Sequence, residues 1–208
     1  MLNPIISIAA TPSSLETWVW MDYRLAVIFT VILPLILLIW ALVEKLEVIT
    51  HLLIIYWRVA SLLMITLYLM IAAIPIGFIC AIASRILIPV SLWFWVDLNE
   101  EIEDMQPSPL KLTLTSWRWA ITVYNAIGAL IFLPSLRCAF FSAENLLADP
   151  GCRIWLDPPW MYKQIFHPGW NPPFLGFLAI VGLLIYVGCF AYFVVIRLGR
   201  QGRSATGN

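Results

Sequence analysis

Charge is scarce in this sequence. Only 12% of its 208 residues are Asp, Glu, Lys or Arg, whereas 62% are hydrophobic. Charged residues make up roughly a quarter of an ordinary soluble domain, so a water-soluble fold of this composition would lack polar surface. The twelve bases and twelve acids balance, and no strongly basic segment of the kind that binds nucleic acid is present. Nucleic acid is therefore excluded as a partner.

Catalytic and metal-binding motifs are also missing. The sequence has no glycine-rich phosphate loop, zinc-protease helix motif or nucleophile elbow. Its two histidines, His51 and His167, are far apart and lack the ligand spacing of a zinc site. We expect a protein that is not an enzyme and has no cofactor, although lipid or pigment could bind at a partner interface. The only acid–base pair we consider is Asp157 with His167.

Long charge-free stretches are what the sequence has instead. A helix needs about 20 apolar residues to cross the hydrocarbon core of a bilayer. Four stretches meet this requirement, at residues 25–43, 59–84, 119–136 and 174–196. They predict an all-α, polytopic integral membrane bundle of four transmembrane helices with interfacial helices, in contact with membrane lipid. Pro34 should kink the first span, and neighbouring helices should hydrogen-bond the carbonyls that it frees.

A fifth crossing is the alternative for residues 48–96. It would place Arg58 and Arg85 near the middle of the membrane, at a cost of at least about 2.5 kcal/mol each on insertion scales. It would also need an apolar turn through residues 71–75. We therefore favour four spans, none with an ionisable residue inside it, and expect residues 86–96 to form a surface or re-entrant segment.

Two segments are predicted to lie outside the membrane. Residues 97–118 form an acidic loop whose carboxylates are solvated or face a partner, since they lack the spacing of a calcium loop. These carboxylates are Asp97, Glu100, Glu101, Glu103 and Asp104. Residues 137–173 form a Pro/Trp-rich cap, in which prolines argue against regular helix over Leu156–Trp160. Cys138 and Cys152 lie in this cap, and the sequence leaves open whether they form a disulfide.

Several residues are candidates for helix packing or partner binding. Ala73, Gly77 and Ala81 fall four apart and would let another helix approach closely. Asn125, inside the third span, needs a hydrogen-bond partner, which is usually on a neighbouring helix. Aromatic residues of the cap could contact a partner protein or anchor the cap in the headgroups. These aromatic residues are Trp155, Trp160, Tyr162 and Trp170.

Positive charge predicts the orientation. Arg197, Arg200 and Arg203 follow the last span closely, which favours a cytoplasmic C-terminus. With four spans the N-terminus would be cytoplasmic too, as would the acidic loop. The N-terminus does not resemble a secretory signal peptide, since no base precedes Arg24.

The layout resembles an uncharacterised family of cyanobacterial membrane proteins of about this size. The acidic stretch Asp97–Asp104, the cap runs Leu156–Trp160 and Phe166–Trp170, and the last span with its Trp and Pro flanks carry the resemblance. The resemblance implies a photosynthetic setting, in the thylakoid or plasma membrane, where small accessory proteins attend the building of pigment–protein complexes. It brings no catalytic residues with it.

Two functions are compatible with these features. The first is a non-catalytic accessory or assembly factor that binds other integral membrane proteins, with photosystem subunits as candidate partners. The second is a small-solute transporter or channel subunit, for which Asn125 and the kinking Pro75 and Pro134 provide the support. Co-purification with a partner would favour the first function, and solute flux in vesicles the second.

Overall fold

The regular structure of this chain is entirely helical in the part that the computed structural model describes, residues 12–198 and 202–205. The all-α class is therefore confirmed. The helices are α1 (Pro12–Ala26), α2 (Leu33–Val43), α3 (Glu47–Ile71), α4 (Ile76–Trp93), α5 (Val96–Asp104), α6 (Pro109–Phe132), α7 (Ala143–Ala148), α8 (Pro150–Arg153), α9 (Asp157–Phe166) and α10 (Pro172–Tyr192). Four shorter π- or 3₁₀-helical segments join or extend them, at Val27–Ile32, Leu133–Phe140, Ile154–Leu156 and Phe193–Arg197.

Five helical stretches, not four, are long and apolar enough to cross a membrane. They are Ser14–Val43, Glu47–Ile71, Ile76–Trp93, Pro109–Phe140 and Pro172–Arg197. The prediction of four crossings is thus corrected in one place: the single span expected over residues 59–84 is a hairpin of α3 and α4. Residues 86–93, expected at the surface, complete α4, which contains Pro89 within its length.

The turn between α3 and α4 explains the correction. Ala73 adopts a left-handed conformation with φ of 53°, and Pro75 precedes the first residue of α4, where its missing N–H costs nothing. The turn is apolar, but the cap covers it: the Trp160 indole donates to the carbonyl of Ile71 at 3.2 Å. Of the predicted small-residue stripe, Ala73 lies in this turn, while Gly77 and Ala81 lie on α4.

The helices form a bundle with two distinct faces. Helices α3 and α4 lie at its centre, α10 packs on α3, α6 packs on α4, and α1–α2 crosses the bundle in contact with α3 and α6. The cap face carries α7, α8 and α9, which pack near the start of α1 and the end of α3. The opposite, acidic face carries α5.

The two ends of the described chain lie on opposite faces. Leu15 and Val19 of α1 pack with Trp155 of the cap. On the acidic face, Asp97 accepts a hydrogen bond from the backbone N–H of Ala205 at 2.8 Å. This arrangement is the one that five crossings require. The expectation that both termini share one side depended on an even number of spans.

Pro34 interrupts the first helix in the way that the sequence predicts. A proline cannot donate to the carbonyl four residues earlier, here Thr30, and the chain passes through a π-helical segment at this point. The Tyr56 hydroxyl donates to the Thr30 carbonyl at 2.7 Å, and the Trp117 indole donates to the Phe29 carbonyl at 2.9 Å. The prediction that neighbouring helices satisfy the freed carbonyls is confirmed.

Two predicted loops are helical. The acidic loop 97–118 contains α5 and the first ten residues of α6. Helix α5 is amphipathic, because Leu98 and Ile102 place one side of it in the core while four of its five carboxylates face outward. In the cap, α9 includes Pro158 and Pro159. The expectation that these prolines exclude a helix is wrong, because both fall in the first turn, where the backbone N–H has no helical partner.

Candidate functional site

Three polar side chains meet between α1, α4 and α6. Arg85 of α4 donates from Nη2 to Asp22 Oδ2 of α1. The Tyr124 hydroxyl of α6 donates to Asp22 Oδ1 at 2.9 Å and lies 3.0 Å from the Asp22 carbonyl oxygen. The Arg85 guanidinium is also 5.6 Å from the centre of the Tyr124 ring, within range of a cation–π contact. We call these three residues the Asp22 cluster.

The Asp22 cluster lies deep in the bundle. Arg85 stands midway along α4, roughly 13 Å from either end at 1.5 Å per residue. The Arg85 and Asp22 side chains are only 11% and 23% exposed. An unpaired arginine at this depth would be costly, whereas a paired one forms a neutral unit. The cost that argued against a fifth span is thus avoided at Arg85 by pairing. It is not avoided in this way at Arg58, which lies on the exposed surface of α3.

Gly128 of α6 makes room for the Asp22 cluster. It stands one turn after Tyr124, and a Cβ atom at this position would overlap Nη1 and Cζ of Arg85. Because Arg85 is held by Asp22, the guanidinium cannot swing away without losing its carboxylate. A glycine is therefore required wherever α6 crosses this arginine.

A cavity of about 190 Å³ adjoins the Asp22 cluster. Its volume exceeds the ~150 Å³ of an engineered protein cavity that holds benzene. Apolar side chains make up most of the wall, and Asp22 and Tyr124 supply its polar part. The lining residues are Trp18, Met21, Asp22, Leu25, Tyr124, Ile127, Gly128, Ile131 and Trp155.

A second arginine, Arg118, is buried nearer the acidic face. Its Nη2 donates to the carbonyl of Leu92 at 2.8 Å and to Asn99 Oδ1, and its guanidinium lies 4.0 Å from the centre of a Trp93 ring. Leu92 is in the last turn of α4, where carbonyls lack helical partners. Arg118 therefore caps α4 and ties it to α5, which is a structural role.

The cap contains an aromatic group around His167. The Tyr68 hydroxyl of α3 is 3.0 Å from His167 Nε2, and the rings of Tyr162 and Trp170 lie within 6.0 and 5.4 Å of the imidazole. Burial raises the pKa of Asp157, with Arg153 opposing this rise and Glu16 adding to it. The hydrogen-bond partner of His167 in the structure is Tyr68, not Asp157. The acid–base pair of Asp157 and His167 considered from the sequence is therefore not formed.

Comparison with known proteins bears on the same residues. A family model described as "Protein of unknown function (DUF3177)" matches residues 16–206. The chain belongs to the DUF3177 family. No curated protein and no solved structure matches it significantly. The DUF3177 match runs from α1 to the tail and so includes the Asp22 cluster, its cavity and the whole cap.

Two of the four cap aromatics proposed as partner contacts serve the fold of this DUF3177 protein. Trp155 is buried with its ring 4.5 Å from that of Phe132, and Trp160 holds the turn after α3. Trp155 therefore offers no open ring to a partner. Trp160 and Tyr162 are partly exposed and Trp170 is exposed, so a role in binding stays a prediction for these three.

The acidic residues of the DUF3177 protein divide in a similar way. Asp97 accepts hydrogen bonds from Ser204 Oγ at 3.1 Å and from the N–H of Ala205, and so holds the C-terminal tail. The other four carboxylates face outward on α5. Within residues 12–198 and 202–205, no group of three or more His, Cys, Asp or Glu side chains could hold a metal ion. The exposed carboxylates are Glu100, Glu101, Glu103 and Asp104.

Asn125 and the cap cysteines complete the predicted set. The buried Asn125 amide donates to the carbonyl of Ile121 at 2.8 Å, on its own helix rather than on a neighbouring one. Cys138 and Cys152 are joined by a disulfide, with their Cα atoms 5.7 Å apart. The pairing that the sequence left open is therefore made, and it links the segment after α6 to α8.

Sequence reasoning missed the Asp22 cluster altogether. The first span predicted from the sequence begins at residue 25, which leaves Asp22 outside it. The signal that could have found the cluster is a carboxylate, Asp22, that could neutralise Arg85 in the five-span alternative. Charge neutralisation across two helices cannot be recognised from either helix alone.

Proposed function

We propose that this DUF3177 protein is a non-catalytic accessory subunit that binds other integral membrane proteins. Photosystem subunits of a thylakoid membrane are the candidate partners, a setting that rests on the resemblance to cyanobacterial proteins. The observation that carries the proposal is the exposure of α10. Only 6% of its most apolar stretch is buried, against 44% for α4.

The outer side of α10 is suited to another helix. Its inner side packs on α3, where Gly176 lies so close to Ala72 that a Cβ would overlap that side chain. On the outer side, Gly188 has no neighbouring atom within 4 Å of the position of a Cβ. A bare backbone flanked by exposed apolar side chains such as Leu184 and Ile185 lets a second helix approach closely.

We also propose that the cap faces the non-cytoplasmic side. Disulfides persist in oxidising compartments, and Cys138–Cys152 lies in the cap. Basic residues near the opposite face include Lys45, Arg197 and Arg203, as the positive-inside rule favours for the cytoplasm. Arg200 lies outside the described residues. On this proposal the C-terminus is cytoplasmic and α1 begins on the other side.

Cross-linking inside the native membrane tests the accessory function. A photoreactive residue at Leu184 should cross-link to an integral membrane protein that also co-purifies in mild detergent. Gly188→Leu should weaken this association at least about tenfold while leaving the fold intact, because it adds bulk only on the outer side. Ala126→Leu, a matched change at an exposed position of α6, should leave it unchanged. Recovery of the protein cross-linked to lipid alone would defeat the proposal.

The three residues that motivated the transporter alternative have these places in the fold. Asn125 binds its own helix, Pro75 precedes α4 in the turn, and Pro134 is the second residue of the 3₁₀ segment that follows α6. None of them opens a helix within the bundle. Solute flux in reconstituted vesicles is the measurement that would restore this alternative.

A further inference from the structure

We infer that the cavity between α1 and α6 is a binding site for a neutral, lipid-soluble molecule that carries a hydroxyl group. The site goes beyond the proposed accessory function and does not depend on it. Its parts are the apolar walls of the cavity, the acceptor atoms of Asp22 and Tyr124 at its polar end, and the buried Arg85 behind Gly128.

The cavity is reached from the side of the bundle. Four of its lining residues are between 41% and 53% exposed, which places them on the outer surface of the helices. These are Trp18, Met21, Ile127 and Ile131. Since the surface at this depth is apolar, a molecule would enter from the hydrocarbon rather than from water. The ligand must therefore be lipid-soluble.

Charge balance within the site favours a neutral ligand. Asp22 and Arg85 already cancel each other in a buried pair. A ligand with a full charge would leave one charge uncompensated in a medium of low dielectric constant, where unpaired ions are strongly disfavoured. This excludes fatty-acid carboxylates and ammonium groups as occupants.

Hydrogen-bonding capacity favours a donor. The Asp22 carboxylate is acceptor-only and has about four lone-pair sites, of which Arg85 and Tyr124 use two. The Tyr124 hydroxyl spends its hydrogen on Asp22, so its oxygen can act only as an acceptor. The Trp155 indole nitrogen, a donor, is fully buried and is not presented to the cavity. A hydroxyl group on the ligand could donate its hydrogen to one of these acceptor oxygens.

The cavity size limits the bound part to one small group. A volume of about 190 Å³ accommodates a single substituted ring or a short chain. A phenol with an alkyl tail and a primary alkanol share the required chemistry, namely a neutral hydroxyl on an apolar body. The tail of either would extend through the side opening into the lipid.

Ligand-induced thermal stabilisation tests the site in the full chain, purified in mild detergent. The probes are para-heptylphenol and decanol, each paired with its methyl ether, which partitions into micelles similarly but cannot donate. We expect at least one hydroxyl probe to raise the unfolding temperature in a saturable way. Its ether should bind at least about tenfold more weakly, since a hydrogen bond to a charged group is lost. The two arms separate phenolic from aliphatic ligands.

Substitutions inside and outside the cavity localise the effect. Ile131→Trp fills the cavity and should abolish stabilisation by the hydroxyl probe, whereas Leu130→Trp, on the exposed surface of the same helix and outside the lining, should keep it. Leu25→Phe, from the facing helix, serves as a second filling variant if Ile131→Trp does not fold. The inference is overturned by equal effects of probe and ether, by equal effects in filled and unfilled cavities, or by no stabilisation, which would leave water as the only occupant.

Discussion

The contact of α1 with α4 and α6 differs in kind from the contact of α10 with α3. The first is made by polar groups, those of the Asp22 cluster. In the segment Val27–Ile32 that follows α1, the Trp117 indole adds a hydrogen bond to the Phe29 carbonyl. The second is made mainly by apolar side chains and closely approaching small residues. Its one polar contact described, Tyr186 to the Val59 carbonyl, is long at 3.4 Å.

This difference has a consequence in lipid. Apolar contact between helices has no hydrophobic driving force there, because lipid tails are as apolar as the side chains they replace. A buried ion pair, in contrast, is strongly destabilised when one partner is removed. We therefore expect α1, α4 and α6 to behave as a fixed unit and α10 to be held less firmly by the rest of the bundle.

The largest expected effect comes from removing the charge of Asp22. Asp22→Asn leaves Arg85 buried without a counter-charge and should destabilise the protein by about 3–5 kcal/mol. The unfolding transition in mixed micelles, followed by circular dichroism as SDS is increased, measures this change. Arg137→Gln is the control, since it breaks the exposed Arg137–Asp149 pair, whose arginine is 63% exposed, and should cost less than about 1 kcal/mol.

A double substitution sharpens the same test. Asp22→Asn combined with Arg85→Gln removes both charges and should recover most of the stability lost in the single variant, because a neutral pair can hydrogen-bond without a counter-ion. If the single and double variants were equally unstable, charge pairing would not be what holds α1 to α4.

Two glycine substitutions compare the regions directly. Gly128→Ala should cost about 1–3 kcal/mol, because its Cβ displaces the Arg85 guanidinium. Gly188→Ala on α10 meets no atom within 4 Å and should change the stability of the isolated protein by less than about 0.5 kcal/mol. The same SDS titration measures both. Equal losses would contradict the picture of a tightly packed polar unit beside an open helix.

Two tyrosines provide a smaller comparison. Tyr56→Phe leaves the Thr30 carbonyl freed by Pro34 without its donor and should cost about 1 kcal/mol. Tyr186→Phe removes only the long contact between α10 and α3 and should have no measurable effect on unfolding. A larger loss at Tyr186 than at Tyr56 would show that α10 is held more firmly than the geometry indicates.

The smallest effect concerns pH and the cap, where α9 lies beside α1. Burial raises the pKa of Asp157, so the folded state holds this proton more tightly than the unfolded chain. The resulting stabilisation is complete below the ordinary pKa and is lost as pH rises through the raised value. Lowering the pH from about 6 to about 4 should thus stabilise the wild type relative to Asp157→Asn, by a few tenths of a kcal/mol because the site is largely exposed. Unfolding temperatures at the two pH values measure the difference, and identical pH dependence of the two proteins would contradict it.

Particular elements show how far the sequence could be followed. The last span, predicted over residues 174–196, is Pro172–Arg197 in the structure. The prediction was close because the residues between its flanks are uncharged and long enough to cross the bilayer. The third, predicted from residue 119, lies within a helix that begins ten residues earlier, because polar residues can continue a helix beyond the bilayer. The prediction of the second span was wrong at Ala73. This residue adopts a positive φ in the turn between α3 and α4, although it is not a glycine, the residue that usually marks such a conformation.

The candidate site was beyond the sequence for a related reason. Gly128 and Tyr124 were unremarkable positions of an apolar helix, and their importance appears only where the Arg85 side chain of another helix lies against them. The disulfide was predictable in part. The sequence separation of Cys138 and Cys152 allowed it, and the fold of α7 and α8 brings the two cysteines together.

By itself the sequence determined that this chain is a helical membrane protein, because hydrophobic stretches of bilayer length have no other stable environment. Only the tertiary structure decided the number of helices that could cross, the opposite placement of the two ends of the described chain and the position of the Asp22 cluster. These depend on pairwise contacts between distant residues. The energy of such a pair, above all that of an arginine with its carboxylate, is not a property of either residue alone.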